Sequence, residues 1–487
     1  MPPNNFKDDD SFLQKLSLGA AGTKATIARL RELGFEPIEL ERGSTGYKIW
    51  KKIKIKRVRV PDILCLKTGN RFESRAKSKL EISMSHSRTE PNRAWDAGLR
   101  PDDHVAVLVC EQVEGSLVDW NVCSPIHFIA VSDMRDAVKK NRVTTTEPKG
   151  VEEGSEIRMI WPCTCANEES TVQEITEKSI KLIGNITGAS QRCVLHRKNF
   201  SLSPQCKANE IVLKNQIVVS SVPISITPKC DAKVPETFFA KQLGSAALSE
   251  RYSAAKALRF RGYKTSEALL LKRTKDNEED IYVRLEAAAA LAAYDNDEGW
   301  AFLRQSLQSE YLQVQLETII VLSEIPKPQS QTALISVLLD ESKDNEIRSG
   351  AAWALGEFHS TDSANALIQV FNSTSLEIKI EAARALLRIG PSQVPSIVLA
   401  MNEAETSRRD GIAWALARMD GFSPEQLLKN SPDDNMRRWV AYIVGFGKSN
   451  FIEEHITALC KTDPQVHFAA SVLWQILASW INGLKEY

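Results

Sequence analysis

One pattern constrains this chain more than any other, a helix-like phrase that recurs through its second half. The phrase opens on a basic or polar residue, continues with small residues, and reaches an apolar residue, usually leucine, seven positions on. It reads RYSAAKAL (251–258), RLEAAAAL (284–291), QLETIIVL (315–322) and RSGAAWAL (348–355), then KIEAARAL (379–386) and RDGIAWAL (409–416). It closes with RWVAYIV (438–444, anchored at Arg437) and HFAASVLW (467–474). The anchors advance by 33, 31, 33, 31, 30, 28 and 30 residues. Eight recurrences at so even a period predict an all-α solenoid over 236–487, with about eight helix pairs stacked through their small-residue faces. Trp353 and Trp414 hold the same place in their repeats, which marks both as core residues.

The first half has no such period. The 487 residues allow two to four domains. No stretch reaches the roughly 18–20 consecutive apolar residues of a membrane helix, and MPPNNFKDDDSF lacks the apolar centre of a signal peptide. Nine cysteines, an odd number, fit a reduced compartment better than a disulfide scaffold. A cytoplasmic location is expected. The net charge is zero but uneven: Met1–Leu80 carries 18 Lys and Arg against 9 Asp and Glu, leaving 44 against 53 for the rest. A basic front on an acidic body points to a polyanionic partner for the front.

Residues 1–147 read as an α/β domain. Residues 1–21 are polar and Gly/Ala-rich and are expected to fray. Thr23 is placed to cap a helix over KATIARLREL, which Gly34 ends. FEPIELER, a long basic strand with a bulge near Lys56-Arg57, DILCL, HVAVLVCEQV and SLVDWNVCSPIHFIAV supply strands, and DMRDAVKK a short helix. Residues 148–235 switch to short β-prone runs between turn formers, which predicts a small all-β barrel or sandwich. Cys163, Cys165, Cys193 and Cys206 lie there, but their spacing matches no compact zinc motif, and zinc is not expected.

The chemistry is expected in the hairpin DILCL-KTGN-RFESRAK. With Thr68-Gly69 as a two-residue loop, Asp62 falls opposite Arg75, and alternation puts Glu73, Arg75 and Lys77 on the same face. A shift by a whole residue at both loop ends keeps that face; only an odd register scatters it. Two carboxylates can hold Mg²⁺ or Mn²⁺ with its waters, and a nearby ammonium can orient or deprotonate such a water or offset phosphate charge. From Arg42 to Lys79 there are 13 Lys and Arg, against Asp62 and Glu73 as the only acids. Lys51, Lys52, Lys54, Lys56, Arg57, Arg59 and Lys79 are therefore candidate phosphate contacts, giving affinity without sequence reading. The bland alternative is a solvated edge strand protected from aggregation by its lysines. His86, in the SMSHS run, is a lesser candidate beside a surface-loop reading.

Two family resemblances rest on these residues. The phrase, recurring every 28 to 33 residues, resembles the short HEAT-type repeat over roughly 240–480. Pro61-Asp62 followed by Glu73 resembles the PD-(D/E)xK signature of restriction-endonuclease-like nucleases, whose αβββαβ order is compatible with residues 23–140. That resemblance implies Mg²⁺-dependent phosphodiester cleavage with Asp62 and Glu73 as metal ligands. Arg75 departs from it by standing where a lysine is expected, and an arginine stays protonated; Lys77, two residues on, can supply the ammonium. The first helix has only Glu32 as an acid near its end. The leading expectation is a metal-dependent nuclease, acting on DNA rather than RNA, in prokaryotic defence or DNA processing. Its solenoid would bind a protein partner or hold a homo-oligomer. The alternatives are a non-catalytic adaptor that tethers nucleic acid through its basic domain, and a basic strand that docks on RNA or an acidic protein.

Overall fold

The computed structural model describes residues 9–40, 58–114, 119–147, 156–197, 200–230, 233–405, 408–419, 422, 427, 433–446 and 463. The eighth repeat and the basic stretch 41–57 lie outside them. The chain divides into two compact units with the seam after Leu269.

The first unit opens with helix α1 (Asp9–Glu32). The expected frayed segment is corrected from Asp9 onward, residues 1–8 lying outside the described residues, and the Thr23 cap is corrected because Thr23 is a buried interior residue of α1. Arg29 and Arg31 in its last turn suit the helix dipole. It ends at Gly34, where Phe35 N donates to Leu30 O across the last turn. The Gly/Ala content that suggested fraying has another use. A Cβ on Gly22 would sit 2.5 Å from the Ala76 Cβ, so the missing side chain lets the helix lie directly on the sheet.

That sheet contains β1 (Pro37–Glu39), β2 (Ile63–Cys65), β3 (Arg71–Lys77) and, after β4 (Ile82–Ser87), β5 (His104–Gln112), β6 (Trp120–Val122) and β7 (His127–Ala130). Its order is β1-β2-β3-β5-β6, with β7 also on β5. β3 and β5 run parallel from Phe72/His104 to Lys77/Val109, whereas the β1–β2 and β2–β3 pairs are antiparallel. One face, with Phe72, Ala106, Leu108 and Phe128, packs beneath Leu30 of α1. The other, with Val105, Val107 and Ile129, meets Met134 of helix α2 (Val131–Lys139). It also meets Ile82 and Met84 of β4 and Ile157, Met159 and Trp161 of β9 (Glu156–Trp161). β9 pairs with β4 along six residues and with β8 (Thr144–Thr146) on its other edge. The strand that follows the 148–155 stretch therefore closes the core of the residues before it.

The remaining strands, between Cys163 and Ser220, form small antiparallel sheets around Val172, Ile180, Leu182, Val218 and Val219. Cys193 is part of that core and Cys206 packs on it. Burial pushes the thiol pKa of each up to about 11, as expected of cysteines that serve as small apolar residues.

Helices α3 (Thr237–Gln242) and α4 (Leu248–Arg261) also belong to this unit. α4 carries the first recurrence of the phrase, yet it is bonded to the hairpin region. Arg71 NH1 donates to Ser249 Oγ (3.3 Å), Arg261 NH2 to Leu66 O (2.6 Å), and Tyr252 OH to Leu40 O (3.4 Å).

The seam falls inside helix α5 (Glu267–Lys275). The second unit contains α6 (Ile281–Ala293), α7 (Asp297–Ser306), α8 (Leu312–Ser323), α9 (Pro328–Leu339), α10 (Asn345–Leu355) and α11 (Thr361–Gln369). It continues with α12 (Leu376–Ile389), α13 (Val394–Glu403), α14 (Arg409–Leu416) and α15 (Asp434–Phe446). The phrase-bearing helices pack in series, α6 on α8, α8 on α10, α10 on α12, α12 on α14 and α14 on α15. One continuous core runs from Leu285 to Ile443.

The polar anchor of the phrase has a structural job. Arg284 Nε donates to Thr274 O (3.0 Å), Gln315 Nε2 to Ser309 O (2.6 Å), Arg348 Nε to Leu338 O (2.9 Å) and Arg409 Nε to Ala404 O (3.1 Å). Each ties off a carbonyl at or just past the end of the preceding helix, where no intrahelical donor remains. Asp280 and Asp344 lie four residues before the anchors Arg284 and Arg348, and Asp433 lies four before Arg437 and twenty-four after Arg409. Asp280 and Asp344 cap the helix that carries the anchor, bonding Tyr282 N and Glu346 N.

Candidate functional site

The hairpin departs from the expected turn. Cys65 N donates to Asn70 O and Gly69 N to Cys65 O, both at 2.8 Å, so the loop is the four residues Leu66–Gly69. Gly69 takes the left-handed φ of +72° that closes such a loop, and Leu66 N is drawn to Glu36 O on the β1 side. The register follows: Ile63 lies opposite Phe72 and Leu64 opposite Arg71. One step further brings Asp62 level with Glu73, not with Arg75 as expected. The slip is an even two residues, all at the first loop end, so the expected face survives.

β3 then divides its side chains cleanly. Phe72, Ser74 and Ala76 face α1, where Ser74 Oγ lies 3.2 Å from Thr26 Oγ1. Glu73, Arg75 and Lys77 alternate onto the opposite face. Asp62 Oδ2 accepts a hydrogen bond from Ser74 N (2.6 Å), filling the ladder position where β2 has ended. Glu73 Oε1 is paired with Arg75 NH2 at 2.6 Å. Arg75 thus sits on one of the two expected metal ligands.

Lys77 is the most perturbed group on this face. Burial lowers its pKa to about 8, and the guanidiniums of Arg75 and Arg158 push in the same direction, against a smaller pull from Glu81. Its Nζ donates to Ser83 Oγ (3.3 Å), and Arg158 Nε, reaching over from β9, donates to the same oxygen (3.1 Å). Arg158 NH2 also bonds Glu81 Oε2 at 2.5 Å. Ser83 at the start of β4 and Arg158 are additions to the expected set. Nothing near the PD…E signature announces them, since Arg158 is 81 residues beyond Lys77 and joins it only through the β4–β9 pairing.

Of the expected phosphate contacts, Arg59 and Lys79 are exposed. Lys51, Lys52, Lys54, Lys56 and Arg57 lie outside the described residues. Arg71, one of the 13 cations of this stretch, is fully buried against Asp103, with Arg71 NH2 2.6 Å from Asp103 Oδ2, and serves the fold. His86 is in β4, its Nδ1 accepting from Trp95 N at 3.3 Å, in place of the surface loop expected there. Among the described residues no group of three or more His, Cys, Asp and Glu side chains is arranged to hold a metal ion. A hydrated magnesium ion needs only one or two carboxylates.

The second unit has a groove of its own. A cavity of about 270 Å³ is lined by Leu376, Lys379, Trp414, Arg418, Trp439 and Tyr442 on α12, α14 and α15 and the turn after α14. The Arg418 guanidinium stacks over the Trp414 ring at 4.2 Å, and Lys379 Nζ is 3.1 Å from Asp410 Oδ2. Trp353 is buried, as its repeat position predicts, but Trp414 is only half-buried and turns part of its ring to this groove.

Residues 300–387 and 332–417 match the family model of HEAT repeats. This segment is built of HEAT repeats. Similar solved structures include human deoxyhypusine hydroxylase in complex with glycerol, at 16% identity over 44% of this chain and 85% of that one, with a TM-score of 0.23. The complex of CpcE and CpcF of phycocyanin lyase from Nostoc is 18% identical over 50% of this chain and 95% of that one, with a TM-score of 0.25. A designed armadillo repeat protein in complex with the peptide (KR)4 is 15% identical over 48% and 98%, with a TM-score of 0.21. At these scores nothing about partner or chemistry passes to this chain. No curated protein matches it. Among the described residues no helix is long and apolar enough to cross a membrane.

Proposed function

We propose that the first unit is a divalent-metal-dependent nuclease acting on DNA, and that the HEAT repeats recruit a protein partner. The observation that supports the first part is the register of the hairpin, Ile63 opposite Phe72, which carried one step further would bring Asp62 level with Glu73, with Lys77 alternating onto the face of Glu73. Directly opposed residues have Cβ atoms about 4.5–5.5 Å apart, a separation over which two carboxylates can share one hydrated Mg²⁺ or Mn²⁺. Such an ion supplies charge neutralisation at a phosphodiester and a more acidic bound water. Asp62 and Glu73 would hold it, and the Lys77 ammonium would offset charge on the phosphate. The helix α1, the β1–β2–β3 meander and the parallel β5 support a restriction-endonuclease-like reading. The crossover from β3 to β5 departs from it, running through β4 and a single 3-10 turn at Pro91–Arg93 in place of a helix.

The test is plasmid nicking with Mg²⁺ or Mn²⁺. Asp62→Ala and Glu73→Ala are expected to lower the rate at least 100-fold, and Lys77→Ala by 10-fold or more, about 1.4 kcal/mol of barrier per factor of ten. Equal rates in all four proteins, or no cleavage under any condition, end the nuclease reading. Salt-dependent DNA binding without cleavage would favour the second reading, an adaptor that tethers nucleic acid. The half-open aromatic groove at Trp414 and Trp439 is what supports a protein partner for the repeats in either case.

A further inference from the structure

We propose that Lys77, Ser83 and Arg158 form a binding site for one phosphate group of a nucleic-acid backbone, a site completed by β9. The inference rests on the nucleic-acid substrate assigned above but not on cleavage. Three strands, β3, β4 and β9, bring the groups together, and the hydrogen bonds dictate what is missing. Ser83 Oγ accepts from Lys77 Nζ at 3.3 Å and from Arg158 Nε at 3.1 Å. A hydroxyl has two lone pairs and one proton. With both lone pairs receiving hydrogen bonds from cations, the proton of this buried hydroxyl is left as its one donor, polarised by two positive neighbours. Lys77 uses one of its three N–H donors in that bond, and two remain. Hydroxyl, ammonium and guanidinium therefore present donors around one point, which suits a group with several oxygens.

The charges agree. The carboxylates nearest these cations are already matched, Glu73 to Arg75 and Glu81 to Arg158. Lys77 is left between two guanidiniums with a hydroxyl as its hydrogen-bond partner; burial lowers its pKa most, and those guanidiniums add to the depression. An anion relieves it. The way in is open, because the Arg75 and Arg158 side chains stay 41% and 48% exposed while the ammonium between them is half-buried. Exposed Arg59 and Lys79 extend the positive surface on either side of the hairpin in sequence, as a polyanion needs and a single small anion does not.

The test is binding of the full chain to a short DNA duplex in EDTA, where cleavage does not enter, across a salt series. Arg158→Gln and Lys77→Met are each expected to weaken binding about tenfold at 0.1 M salt and to lower the salt slope by about one. Ser83→Ala should weaken it about threefold, and Arg158→Lys should recover most of the slope. Lys139→Gln, at a side chain 77% exposed on α2, controls for loss of a charge outside the site. If Arg158→Gln matches Lys139→Gln in affinity and slope, the proposal is overturned. A second arm needs no variant and follows the Lys77 ammonium by nitrogen NMR. Its pKa should rise by at least one unit when the duplex is added, and an unchanged titration overturns the site. Inorganic phosphate binding as tightly as the duplex would overturn the nucleic-acid assignment. Binding that behaves as expected with no nicking under any condition would sink the nuclease reading and leave this one standing.

Discussion

The two units fold by different logics. In the HEAT repeats each phrase-bearing helix packs on the one before and the one after, so every partner lies within about a repeat in sequence. In the first unit β3 lies between β2, a few residues back, and β5, which begins 27 residues after β3 ends, while β4 is closed by β9 from beyond residue 155. A local partner leaves a local signature and a distant one does not. That contrast explains both what the structure kept of the sequence reading and what it changed.

Several substitutions put the contrast at risk. The largest loss is expected in the sheet unit. Arg71→Gln leaves the fully buried Asp103 with Arg100 alone, and breaking such a pair costs about 3 kcal/mol or more; urea unfolding of this unit should show it. Gly22→Val forces α1 off β3 at Ala76 and should cost about 2 kcal/mol. In the repeats Arg348→Gln removes the bond to Leu338 O and should cost about 1–2 kcal/mol. Hydrogen exchange should show that loss confined to α9 and α10 and their neighbours. Loss of protection across the whole sheet unit on Arg348→Gln would break the comparison, and so would a purely local effect of Arg71→Gln.

Smaller effects sharpen it. Lys77 is charged below about pH 8, so duplex binding should be strongest there and weaken by up to tenfold as pH rises through that value; Lys77→Met should flatten the profile. The sign for stability is the opposite. The folded chain gives up this proton near pH 8 while the unfolded chain keeps it to about 10.5, so this group adds stability as pH rises through that window. At the small end, Lys275→Ala breaks an exposed ion pair with Glu298 and should change stability by less than about 0.5 kcal/mol.

The solenoid was legible because its period repeats. What the phrase did not disclose is that its anchors serve carbonyls at the ends of preceding helices, or that α4, a full member of the pattern, is bonded to the β2–β3 hairpin. The strands were legible from their alternation, and the face shared by Glu73, Arg75 and Lys77 survived a wrong turn because alternation depends only on parity. The first helix was misjudged up to residue 21, where Gly and Ala read as weakness locally, although the adjoining Gly22 serves to seat the helix on Ala76. Ser83 and Arg158 were invisible for the same reason as the β4–β9 pair. A serine in a strand and an arginine facing outward on another carry no mark of one another.

The β4–β9 pairing also bears on how the chain is made. A ribosome delivers the first 147 residues with β4 still an open edge, a row of unpaired amides beside the apolar side chains of Ile82 and Met84. The edge stays unpaired until residue 161 has emerged, a lag on the order of a second at ordinary elongation rates. A fragment ending at 147 would hold that edge open permanently, so gene dissection here should cut near the seam after Leu269 and not at the polar stretch that looks like a linker.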